Sequence, residues 1–256
     1  MTTGLPFAGN GLVHGVFMGL GITAALVFYA FEKRRRGLTD PRLWTLAGFA
    51  LAFGAIGSRV TWDPTRPVSA VVWWVDGDRS VLAGLVGAWL GVHLGKRLIG
   101  YRASTGDMFA PAVALAMSIG RIGCLLTELP GTPTGGDWGF VLTPAQAAMF
   151  GAQAGVGLHP SFVYEIAFHA AAFTLMLRFR DRVRRSGDMF VCYVAAYALF
   201  RFGVEFVRGN DELWLGMSRP QWFLLAMLPL LAWRVWKVFT RPVAAAAMAG
   251  MRGETA

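Results

Sequence analysis

The chain has 256 residues, 55% of them apolar and 15% charged, with 24 Lys and Arg against 15 Asp and Glu and a formal charge of +9. A soluble domain of this length carries about a quarter charged residues, so the composition excludes an ordinary soluble globule, and equally a disordered, collagenous or disulfide-scaffold chain. The positive charge sits in short clusters between apolar runs, which is how membrane topology is written and not how a nucleic-acid-binding face is built.

A membrane-crossing helix needs about 20 mostly apolar residues. Seven such runs follow one another, at about 10–31, 43–61, 81–99, 108–127, 161–179, 189–206 and 220–239. The first is read as a span and not as a signal peptide, because no Lys or Arg precedes Lys33. Lys33, Arg34, Arg35, Arg36 and Arg42 follow span one; Lys96, Arg97 and Arg102 follow span three; the run RFRDRVRR follows span five. The stretch 128–160 between spans four and five holds no Lys or Arg. The expectation is an all-α membrane protein with seven transmembrane helices, the N-terminus outside, the C-terminus cytoplasmic and a periplasmic loop between helices four and five. One domain over 1–241 and a cytoplasmic tail over 242–256 complete that reading. The segment 67–75 is apolar but too short to span, and is expected to lie on the outer surface. Cys124 and Cys192 fall near opposite faces and are not expected to pair.

Charged groups inside a span are costly and mark function or a buried ion pair. By helix rise, Arg59 lies ~25 Å beyond Arg42, Arg121 ~21 Å beyond Asp107 and Arg201 ~20 Å beyond Asp188. In a hydrocarbon core of ~30 Å, each then reaches the outer third. Glu205 is one turn beyond Arg201, Tyr197 one turn before it, and Glu128 lies just past span four. Converging guanidiniums suit phosphate, because the planar fork grips two oxygens. At that depth the phosphate is a lipid headgroup. The plainer reading is that Arg59 and Arg201 snorkel to the interface and Glu205 neutralises one of them.

Two glycine patterns read differently. Gly84, Gly87, Gly91 and Gly95 form a small-residue stripe for close helix packing. Gly120 and Gly123 flank Arg121 and are expected to let backbone approach a ligand beside it. The loop 128–160 is rich in Gly, Pro and Thr and reads either as a lid or as a linker.

Three motifs in order give a resemblance. D-x-x-A-P-x-x-A-L-x-x-x-x-G-R-I-G runs from Asp107 to Gly123, H-P-S-x-x-Y-E from His159 to Glu165, and Y-x-x-x-R-F-x-x-E-F-x-R from Tyr197 to Arg208, with a weaker S-x-x-Q at Ser218 and Gln221. Over about Gly11 to Leu228 the chain resembles the prolipoprotein diacylglyceryl transferase family. The resemblance implies a multi-pass enzyme of the bacterial inner (plasma) membrane. Its partners would be phosphatidylglycerol, the prolipoprotein signal peptide and the lipid bilayer, with no nucleic acid. It implies transfer of diacylglyceryl from phosphatidylglycerol to a cysteine thiol, with glycerol phosphate leaving and no cofactor or metal. It also implies that Arg121 holds the phosphate and that Arg201 acts in catalysis with Tyr197 and Glu205. Arg59, Gly120, Gly123, Glu128, His159 and Ser161 join the substrate-binding set.

The chain departs from the family at telling places. Cys124 stands for an asparagine, Phe162 for a glutamine, His14 for a tyrosine, and Leu82 for the histidine proposed as important for catalysis. A thiol needs a base or a lowered pKa to become a nucleophile. His14 is the expected replacement base, with His159 second. A diverged family member that binds anionic lipid but uses another acceptor or is inactive, and a transporter without chemistry, stay open at this point.

Overall fold

The computed structural model describes residues 2–59, 80–183 and 186–240. Eight helices occur among them: α1 (Gly11–Arg35), α2 (Arg42–Arg59), α3 (Val81–Leu98), α4 (Gly106–Thr127), α5 (Pro144–Phe150), α6 (Ser161–Phe179), α7 (Asp188–Arg208) and α8 (Arg219–Thr240). Five of these, α1, α4, α6, α7 and α8, are long and apolar enough to cross a membrane. The seven long helices overlap the seven expected apolar runs, the second only as far as Arg59, since 60 and 61 lie outside the described residues. The expected surface segment 67–75 and the tail beyond 241 lie outside the described residues. Both cysteines are free.

The chain divides into two compact units, Gly37–Ala103 and the remainder. The smaller one is the α2–α3 hairpin. The glycine stripe works as expected: a Cβ on Gly91 would lie 2.5 Å from the Phe49 carbonyl oxygen, and one on Gly95 2.9 Å from the Phe49 ring. Arg59 is the last residue of α2, and Leu82 stands near the start of α3.

In the larger unit, α1 runs on to Arg35, past its expected end, because Glu, Lys and Arg favour helix and cations suit a helix C-terminus. Glu32 is fully buried there and takes Arg36 at 2.7 Å, Arg35 at 2.8 Å and Arg180 at 2.9 Å. At the same end, the Asp107 carboxylate on α4 accepts the backbone N–H of Gly187 at 2.7 Å and of Met189 at 3.1 Å, capping α7 from outside.

The opposite end is closed by folded chain. The stretch 128–160 is no linker. Its strand β2 (Phe140–Val141) pairs in parallel with β1 (Thr2–Thr3) and antiparallel with β3 (Gly157–Leu158). Thr143 and Gln146 form a capping box on α5, and Gln146 also donates to the Leu5 carbonyl at 2.7 Å. Leu5, Leu142, Ala147 and Leu158 make a small core beneath the strands. Between α7 and α8, β4 (Glu212–Trp214) and β5 (Met217–Ser218) form a hairpin turned by Leu215 and Gly216, both at positive φ.

Helices α1 and α4 touch almost backbone to backbone. A Cβ on Gly21 would lie 2.7 Å from the Ala116 carbonyl oxygen, an atom that cannot swing away. Gly21→Ala should therefore lower stability in detergent by roughly 1–3 kcal/mol, the usual cost of overpacking. Gly15→Ala, whose methyl meets nothing within 4 Å, should be neutral or slightly stabilising. Equal thermal unfolding of the two variants would refute this close contact.

Candidate functional site

The site lies at the end of the larger unit closed by the small sheet, where α4 ends, α6 begins and α7 ends. Its centre is Glu165 on α6, fully buried. Arg121 Nη2 of α4 lies 2.7 Å from Glu165 Oε2, and Arg208 Nη1 of α7 donates to Glu165 Oε1 at 2.7 Å. One carboxylate thus joins three helices. Arg208 also lies over the Phe162 ring, 4.5 Å from its centroid, and reaches Glu128 Oε2 at 3.8 Å.

A second buried pair stands one step along α7. Arg201 and Glu205 are ion-paired across one helical turn. Glu205 Oε1 also accepts Ser218 Oγ at 2.7 Å and the Asn210 side-chain amide. Gln221 accepts the Ser218 backbone N–H at 2.9 Å, so the S-x-x-Q motif serves to hold the serine on Glu205.

Tyr193, Tyr197, Arg201 and Glu205 recur every fourth residue and form one buried stripe. Tyr197 is 2% exposed and its ring packs on His169, 4.6 Å between centroids. Its hydroxyl lies beside the Arg121 guanidinium without a well-aligned hydrogen bond. Arg121 Nε and His169 Nε2 are buried without a hydrogen-bond partner too. Arg121 Nε and the Tyr197 hydroxyl are unmet buried donors, which an anionic, oxygen-rich ligand would satisfy. The guanidinium side chains of Arg121, Arg201 and Arg208 are at most 13% exposed and face two fully buried carboxylates. The third, Glu128, is 42% exposed and meets Arg208 only at 3.8 Å, so positive charge is in excess.

His14 comes from the start of α1. Its Nδ1 lies 3.1 Å from Glu128 Oε1. Burial works against the Glu128 carboxylate, but the His14 hydrogen bond and the Arg208 charge outweigh it and hold the carboxyl below the usual carboxylate range. Cys124 Sγ is 3.8 Å from Arg121 Nη1.

Some expectations change. Gly123 does not open space for a ligand: a Cβ there would lie 2.9 Å from Phe17 Cβ and 3.2 Å from the His14 carbonyl oxygen, so its bareness seats α1. Gly120 likewise faces α1, with Met18 Sδ 3.1 Å from a Cβ at that position. Ser161 is fully buried and its hydroxyl donates to the Pro130 carbonyl, tying the folded loop to α6. His159 meets the Tyr164 hydroxyl at 3.3 Å and the edge of Trp138. The acid on Arg121 is Glu165, while Glu205 neutralises Arg201, as the plainer reading has it. Glu165 and Arg208 close two of the motifs, yet the sequence reading gives them no role. The signal that could have found them is a second acid and a fourth arginine at the depth of the others.

The comparisons with known proteins fit this geometry. Residues 12–237 match the prolipoprotein diacylglyceryl transferase family. The chain belongs to that family. Among its relatives, the phosphatidylglycerol–prolipoprotein diacylglyceryl transferase of Dehalococcoides mccartyi is 29% identical over 85% of this chain and 85% of its own length. The Clostridium perfringens protein of that name, numbered 2, is 26% identical over 82% and 84%, and the Nocardia farcinica one 30% over 83% and 48%.

Removing one partner of a buried ion pair costs about 3–5 kcal/mol. Glu165→Gln leaves two guanidiniums unmatched and should show that full loss in detergent unfolding. Arg121→Ala should cost clearly less, because Arg208 still neutralises Glu165. The reverse order would overturn the shared clamp.

Proposed function

We propose that this chain transfers the sn-1,2-diacylglyceryl group of phosphatidylglycerol to the thiol of a prolipoprotein lipobox cysteine. Family membership across 12–237 carries the reading. It is supported by the excess positive charge of Arg121, Arg201 and Arg208 and by the unmet donors on Arg121 and Tyr197. In the reaction a C–S bond forms at the glyceryl carbon, its C–O bond to phosphate breaks, and glycerol phosphate leaves. Charge grows on phosphate oxygens as that bond breaks. Arg121 and Arg201 stabilise it, and a water-poor site strengthens the effect. Tyr197 orients the phosphate between them. Glu165 and Glu205 aim the arginines. The family's usual histidine is Leu82 here, so thiol activation falls to the corner of His14, Cys124 and Glu128, which borders Arg121.

We place seven crossings in a bacterial plasma membrane, with the N-terminus outside, 1–241 as the catalytic domain and 242–256 as a cytoplasmic tail. The arginine and lysine pattern supports this. The site then opens to the outer leaflet, where its lipid lies.

Two measurements test the reading. Purified protein with phosphatidylglycerol and a lipobox peptide should give a diacylglyceryl adduct by mass spectrometry. Arg201→Lys should abolish it nearly as fully as Arg201→Ala, because a point charge cannot replace a two-pronged contact. Lipid binding without adduct would favour the diverged, non-transferring member. Separately, single cysteines within 132–156 should react with an impermeant reagent from outside and a cysteine at 186 only from inside. The opposite pattern would overturn the outer-leaflet placement.

A further inference from the structure

The corner beside Arg121 has a donor set that phosphate binding does not use. His14, Cys124 and Glu128 each offer one ligand atom, and the three atoms lie within 4.8 Å of one another. Cys124 lies in the last turn of α4, and Glu128 is the residue that caps it, its backbone N–H donating to the Cys124 carbonyl at 2.8 Å. His14 is brought there by the close approach of α1 at Gly123. Cys124 is buried and in no disulfide, while Glu128 and His14 lie toward the surface and leave the corner open on one side.

We propose that His14, Cys124 and Glu128 bind one divalent cation of the zinc class, and that its open fourth position takes the acceptor thiol. The donor types select the metal. A thiolate, an imidazole and a carboxylate suit Zn2+, whereas Mg2+ and Ca2+ want oxygen. Zinc bonds of about 2.0–2.3 Å put neighbouring tetrahedral ligands roughly 3.3–3.8 Å apart, which small side-chain rotations reach from the observed spacing. Three protein ligands and one open position is the pattern of catalytic zinc. Charge agrees as well. The cation, a thiolate and a carboxylate sum to zero, so neither neighbouring guanidinium is repelled. Arg121, 3.8 Å from Cys124 Sγ, and Arg208, 3.8 Å from Glu128 Oε2, steady the ligands from behind.

The second half of the proposal rests on the transferase reading. A thiol entering the fourth position loses its proton to water and binds as thiolate. Its sulfur forms the bond to the glyceryl carbon while the C–O bond to phosphate breaks, and the electron pair of that bond leaves on the phosphate oxygen beside Arg121. The product is a thioether, a weak zinc ligand, and it departs. Coordination thereby does the work of the histidine absent at Leu82, and His14 acts as a ligand and not as a base.

Tag-free, chelator-stripped full-length protein in detergent is titrated with Co2+ and then Zn2+. The expected result is one equivalent of Co2+ with tetrahedral d–d bands and a thiolate-to-cobalt charge-transfer band, displaced by Zn2+. Cys124→Ser should lose the charge-transfer band and His14→Ala should weaken binding at least about 10-fold. Cys192→Ser should keep both. Zn2+ should raise the melting temperature of the wild type and not of Cys124→Ser, a readout that also reports whether the variant is folded. A lipobox cysteine peptide should strengthen the charge-transfer band, and its serine analogue should not. No saturable binding, or equal binding by folded Cys124→Ser, overturns the site. Binding without a response to the cysteine peptide overturns the thiol role. Full transfer by metal-free protein also overturns that role while leaving the transferase reading standing. Metal and thiol binding without any transfer sinks the transferase reading and leaves the site.

Discussion

A carboxylate shut away from water must carry its counterions with it. Glu165 does so by drawing Arg121 from α4 and Arg208 from α7 onto α6. Stranding such a charge costs several kcal/mol, so the three helix ends can part only together. Between helices bathed in lipid, apolar burial supplies little attraction, and polar contacts and close packing must do the joining. The pair Arg201–Glu205 extends the same network through Ser218 to the start of α8. The far end of the unit repeats the principle with Glu32 among three arginines and Asp107 capping α7.

That one network also sets the chemistry. The clamp needs two arginines for one acid, which leaves the site with more positive charge than its own carboxylates balance. An arginine already fixed by an acid loses little freedom when a phosphate arrives. The same residues therefore hold the protein together and keep the ligand's place ready.

The helices are legible in the sequence because a long apolar run bounded by arginines has few ways to fold except as a helix. Arg121 and Arg201 are legible because charge inside such a run is anomalous. Spacing along one helix finds the partner one turn away, Glu205 for Arg201; the partner on another helix is not contained in it, and only the packing of α6 brings Glu165 to Arg121. Gly123 misleads for a related reason. A glycine beside an arginine signals close approach, but not by what, and here it is α1. The folded loop escapes notice since its strands are two residues long, too short for any alternation to register. Thr143-Pro144-Ala145-Gln146, a capping box with proline at the first helical position, is the one readable sign of order in it.

The strand pairing of Thr2–Thr3 with Phe140–Val141 has a consequence for assembly. Thr2 pairs with Phe140, so the whole of α1 to α4 lies between the two strands in sequence. Until the later strand emerges and crosses, β1 has nothing to pair with and Leu5 has no core to enter. Contacts so distant in sequence form slowly, because a long loop must close before they contribute. The cap over the arginines thus waits on one long-range closure, although all three of its strands precede Glu165, Arg201 and Arg208 in the chain. An insertion machinery that released the first helix early would leave this N-terminal strand free to pair elsewhere.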